Sequence, residues 1–119
     1  MENGMRKNYD MLDFLVKNHP HHFVSLLHSP DMDDCLLSAG CMLCCGMEQS
    51  SLARKALLPF LDHSSSLVRE GALYGLSFHM NRTVCKKLLS IQKKEENKEL
   101  ELFISEIVKE FHGQRKSKS

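Results

Sequence analysis

Residues 51–79, reading SLARKALLPFLDHSSSLVREGALYGLSFH, encode a helix, a tight turn and a second helix. Leu52, Ala56, Pro59 and Phe60 fall on one side of the first helix, with Arg54 and Lys55 turned away. Val68, Ala72, Gly75, Leu76 and His79 recur at helical spacing in the second. Asp62, His63 and three serines interrupt the pattern. Ser65 or Ser66 stands where a side-chain oxygen can accept a hydrogen bond from a backbone N–H left free in the next helix's first turn. A hairpin this small has two apolar faces and cannot bury both alone, so the stretch predicts neighbours of the same kind.

A weaker copy lies upstream, where Phe23 to Leu27 ends at His28-Ser29-Pro30 and is followed by the apolar run Cys35 to Cys45. A slide of about 33 residues puts Ala39 on Ala72 and Leu43 on Leu76, and one of about 34 puts Val24 on Leu58 and Leu27 on Leu61. A third unit runs from Arg82 to Gln92 and from Lys98 to His112. Taken together, Pro59 inside a helix, Asp62 at the turn, the Val68-Arg69 pair and a small-residue run ending in Leu76 resemble the HEAT repeat family. In the upstream copy Asp33 and Asp34 stand where that family has its Val-Arg region. The resemblance implies an all-α, right-handed α-solenoid of about three helical hairpins, here with an N-terminal capping helix over Met5–Val16. Asp62, Arg69, Ala72 and Gly75 are its structural positions: Arg69 is expected to reach Asp62 or an acidic group of an adjoining unit, and Ala72 and Gly75 to lie where helices approach closely.

Composition agrees with helices throughout. With 6 Gly, 3 Pro and no alternating run of β-branched residues, no useful strand is visible in the 119 residues. The length suits one domain, expected over residues 1–112, and residues 113–119 carry Arg115, Lys116 and Lys118 with no apolar side chain, which reads as a disordered basic tail. No apolar run approaches the ~18 residues that cross a bilayer, and the polar start lacks the order of a secretion signal. A soluble, cytoplasmic protein is the expectation.

Cys41, Cys44 and Cys45 sit at i, i+3 and i+4 of one helix, the spacing that brings side chains together. A closed zinc site would need further ligands from another element, and no spacing nominates them among the histidines, so small apolar core residues in a reducing compartment are the simpler reading. His19, His21 and His22 flank Pro20 in what reads as a solvated turn. His28, His63 and His79 fall at helix ends, where an imidazole meets free carbonyls. No Gly-rich phosphate loop, Gly-x-Ser-x-Gly or His-Glu-x-x-His is present, so an enzyme is not expected, and neither is a cofactor. Sixteen basic residues against 15 acidic leave almost no overall field, and the second helices carry few Lys or Arg, which argues against nucleic acid.

By the resemblance, the expected function is a protein-interaction module or adaptor that binds a protein partner on the concave face of its second helices. Glu70, Tyr74, Ser77 and Phe78 are the contact candidates, with Tyr74 aligning on Cys41, and Glu70 and Ser77 on Leu37 and Cys44. Two alternatives stay open: an inhibitor or immunity protein neutralising one partner, and a thiol or metal site centred on Cys41, Cys44 and Cys45.

Overall fold

Apolar residues three and four apart drive each segment to bury one stripe, and the chain resolves into seven α-helices with no strand among the described residues. They are α1 Glu2–Asn18, α2 Pro20–Leu27, α3 Asp34–Leu43, α4 Ser50–Leu57, α5 Ser66–Leu76, α6 Arg82–Gln92 and α7 Lys98–Ser117. Tighter 3-10 turns at Cys44–Gly46 and Leu58–Asp62 continue α3 and α4. The computed structural model describes the backbone of residues 2–117 and the side chains of residues 9–114.

Local chemistry sets the helix starts. Asp33 caps α3, its Oδ1 accepting the Leu36 N–H at 2.8 Å, and Asn81 caps α6 by accepting the Val84 N–H at 2.8 Å. Pro20, read from sequence as part of a turn, is the first residue of α2, with His19 at the cap position and His21 and His22 inside the helix. The proline ring fixes a helical φ, and its missing N–H would have had no partner in a first turn. Ser65 does occupy the cap position of α5, but its side chain makes no capping bond; its own N–H donates to His63 Nδ1 at 3.0 Å. Beyond His112 the helical backbone of α7 continues to Ser117, through residues that read from sequence as the start of a disordered tail. Each added residue of an existing helix gains a hydrogen bond without a new nucleation cost. Lys118 and Ser119 lie outside the described residues.

The chain divides into two compact units, Met1–His79 and Met80–Ser119. In the first, α3 is the central element: it packs against α1, α2 and, most extensively, α5, while α5 also packs against α4 and the Leu58–Asp62 turn. Its core includes Phe23, Leu27, Cys41, Leu57, Leu61, Val68, Ala72 and Leu76, all at most 2% exposed. Burying each Leu or Phe side chain contributes about 1.5–3 kcal/mol. In the second unit α6 and α7 form a hairpin that buries Val84, Leu88 and Ile91 on one helix and Leu100, Ile104 and Ile107 on the other. Leu102, the one apolar residue off the α7 stripe, is exposed.

Candidate functional site

The geometry that organises the first unit is the α3–α5 contact, and it starts from two glycines four residues apart. A Cβ on Gly71 would lie 2.5 Å from the Ser38 carbonyl oxygen. A Cβ on Gly75 would collide with the Cys41 carbonyl oxygen and come within 2.7 Å of Leu57 Cδ1. Only glycine lets the two backbones come this close. Ser38 Oγ then donates to the Leu67 carbonyl at 2.8 Å, and His79 Nε2 lies 2.8 Å from the Cys44 carbonyl. Ser38 meets Leu67 and Gly71, Cys41 meets Gly75 and Cys44 meets His79. Residue numbers rise together on both sides, so α3 and α5 run parallel, displaced by about one sequence repeat.

This register determines which side chains share a surface. At about 100° per residue, Cys35 and Met42 lie roughly a quarter-turn from the α5-facing side of α3 in one rotational sense. Glu70 and Tyr74 lie about as far from the α3-facing side of α5 in the opposite sense, and Phe78, in the turn that follows α5, sets its ring against Tyr74. Opposite senses on two parallel facing helices point the same way, so these five residues line one solvent face, and each is exposed. Away from this face the helices are buried: Gly40 approaches Phe23 and Leu27 of α2, and Val68, Ala72 and Leu76 of α5 are fully enclosed.

Three of the four contact candidates stand on this face as a ridge, with Tyr74 36% and Phe78 57% exposed and their rings tilted against each other at 5.3 Å between centroids. Ser77 is half-buried, and its hydroxyl donates to the Tyr74 carbonyl at 2.6 Å, so it closes the end of α5. The sequence alignment across repeats does not carry the surface to α3: Leu37, Cys41 and Cys44, aligned with Glu70, Tyr74 and Ser77, are all buried. On α3 the exposed stripe is Cys35 and Met42, which sequence reasoning passed over because α3 looks apolar on every side. Gly71 was likewise missed, although its spacing to Gly75 is the sequence signal of a close helix approach.

The structural positions behave individually. Ala72 and Gly75 are buried, Ala72 on the side of α5 turned away from the solvent face. Half-buried Arg69 sends Nη1 to the carbonyls of His63 and Ser64, at 2.9 and 3.0 Å, and so ties the start of α5 to the turn that follows Asp62. His63 brings Nε2 to 4.0 Å from Asp34 Oδ1, while His28 stacks on Phe60 with centroids 4.8 Å apart. Neither imidazole meets the helix-end carbonyls expected for it. His79 does, and more: it is buried, Nε2 must carry the proton because the Cys44 carbonyl can only accept, and Nδ1 pairs with Ser50 Oγ at 2.8 Å. Arg54 Nη1 donates to the His79 carbonyl at 3.1 Å. One side chain thereby joins the ends of α3 and α5 to the start of α4.

Cys41 and Cys44 are fully buried. Burial pushes the Cys41 thiol up to about 12, and burial, with the neighbouring Cys41 and Cys45 sulfurs, raises Cys44 further. Both are held as thiols near neutrality, whereas metal ligation and nucleophilic attack need the thiolate. Among the described residues no three His, Cys, Asp or Glu side chains converge as a metal site would require. A cleft of about 260 Å³ where α1 meets α2 is lined by Lys17 and Glu48 among others, and Lys17 is already paired with Asp13 at 3.0 Å. No described helix is long and apolar enough to cross a membrane. Comparison of the chain with family models, curated proteins and solved structures finds no match.

Proposed function

We propose that this protein is a non-enzymatic interaction module, a small helical solenoid that binds a protein partner on the common solvent face of α3 and α5. The observation that carries the reading is the parallel, one-repeat displacement of these helices, which aligns the Glu70-Tyr74-Phe78 ridge with Cys35 and Met42 on one side. Parallel helices stacked in register are how helical-repeat proteins present a ridged surface, and exposed aromatic residues bury large area on contact at little entropy cost. Burial that keeps thiols protonated suits a role as core residues in the reducing cytoplasm, so the cysteines support the same picture.

Affinity capture from an extract of the source organism tests the surface. Tyr74→Ala and Glu70→Lys are expected to weaken capture at least tenfold, about 1.4 kcal/mol, while Lys86→Glu on α6 leaves it nearly unchanged. Circular dichroism of each variant separates lost contacts from lost folding. Loss from Lys86→Glu alone moves the interaction to α6, and normal capture by all three variants rejects the chosen face.

A further inference from the structure

The chemistry of this face points to the character of what it binds. Its apolar content lies toward the C-terminal ends of the helices, in the tilted Tyr74–Phe78 pair and exposed Met42. Its charged groups are of one sign: Glu70 is exposed on the ridge, and Asp34 is exposed at the N-terminal end of the α3–α5 seam. The two helices supply a single basic side chain, Arg69, whose guanidinium is turned to the carbonyls of His63 and Ser64. At the aromatic end the closing carbonyls of Cys44 and His79 are already taken, by His79 Nε2 and by the Arg54 guanidinium, so the negative character of the face rests on its carboxylates. Exposed aromatic faces attract cations in turn. Two exposed carboxylates and two cation-accepting rings therefore share this face, Glu70 beside the rings on the ridge and Asp34 at the seam.

Building on the proposed interaction surface, we propose that its occupant is a basic amphipathic helix of a protein partner, with Lys or Arg flanking an apolar stripe. Glu70 and Tyr74 stand one helical turn apart and Phe78 extends the row from the turn beyond α5, its ring 5.3 Å from that of Tyr74, a ridge of the kind that fits between the side-chain rows of another helix. The partner's apolar stripe covers Tyr74, Phe78 and the adaptable Met42, while its basic residues meet Glu70 and Asp34.

The test pans a displayed library of random peptides, about four helical turns long, on the full chain and on Tyr74→Ala, with Phe78→Ala as a second variant of the same ridge. The expected result is a set of sequences enriched on the wild type and lost on both variants, with Lys and Arg outnumbering Asp and Glu around apolar positions at helical spacing. A representative peptide should bind Glu70→Lys at least tenfold more weakly and recover when its basic residues are exchanged for Glu. A ridge-dependent set that is neutral or acidic, or that binds Glu70→Lys undiminished, overturns the basic partner while leaving the interaction face standing. A library with no sequence dependent on Tyr74 or Phe78 overturns both. Self-association of the chain that is abolished by Phe78→Ala assigns the ridge to a second copy and also overturns the proposal.

Discussion

Between α3 and α5 the closest groups belong to the backbone: Gly71 and Gly75 lie against the carbonyls of Ser38 and Cys41, and polar bonds from Ser38 and His79 cross the contact. Between α6 and α7 the buried groups are mainly aliphatic side chains, with Val84, Leu88 and Ile91 on one helix and Leu100, Ile104 and Ile107 on the other, and the polar contacts that cross, from Gln92 to Ser105 and from Cys85 to His112, are made by side chains. A backbone contact admits no added atom, so it specifies register. An aliphatic contact accepts exchanges of similar volume and chiefly supplies burial. The two pairs separate two tasks, aligning a surface and stabilising a hairpin.

The largest contrast should appear in thiol labelling within α3 itself. Cys35 is exposed and Cys41 fully buried, so a thiol reagent should modify Cys35 promptly. With its pKa raised from 9.0 to about 12, Cys41 has about a thousandfold less thiolate below pH 9, and its labelling should wait for opening of the first unit. The sign of the pH effect follows: between 9.0 and about 12 the unfolded thiol ionises and the folded one does not, so stability of the unit falls as pH rises through that window. Equal labelling of the two cysteines would mean that the α3–α5 contact opens freely.

Denaturant unfolding sharpens the comparison next. Ile104→Ala should cost about 2–5 kcal/mol, the usual range for emptying a buried aliphatic site. Gly71→Ala or Gly75→Ala should cost about 1–3 kcal/mol by overpacking, although alanine is the better helix former by about 1 kcal/mol. A gain from either glycine variant would show that the helices can part, and the distinction drawn between the two pairs would fail.

The smallest effect has the opposite sign. Gly113 lies within α7 with nothing within 4 Å of a built Cβ, so Gly113→Ala should stabilise the second unit by about 0.5–1 kcal/mol. No change in the thermal midpoint would indicate that this part of α7 frays in solution, and the tail expected from the sequence would return.

Much of the helical framework is readable from spacing alone. The bounds of α6, Arg82–Gln92, and the start of α7 at Lys98 coincide with the apolar stripes and with Asn81 and Asn97 ahead of them. The repeat of about one hairpin also reappears as the displacement between α3 and α5. Pro20 was misread because proline serves both turns and first helical residues, and only the chain on either side distinguishes them.

The candidate surface is less legible. On α5 the single carboxylate and the single aromatic residue mark an outer side, and Glu70 and Tyr74 do lie there, with Phe78 beside Tyr74 in the turn that follows. On α3 nearly every side chain is apolar or small, so hydrophobicity cannot say which side faces water. That choice belongs to α1, α2 and α5, which enclose Leu37, Gly40 and Cys41 and leave Cys35 and Met42 outside. His79 teaches the same lesson. Its place at the end of α5 follows from local sequence, but its hydrogen-bond partners, the Cys44 carbonyl and Ser50 hydroxyl, come from segments some thirty residues away in the chain. That the segments are helical, and where α6 begins and ends, depend on interactions between near neighbours along the chain, so the sequence by itself determined them. Which apolar face is buried and which polar atoms pair depend on atoms brought together only by packing, and the tertiary structure alone decided those.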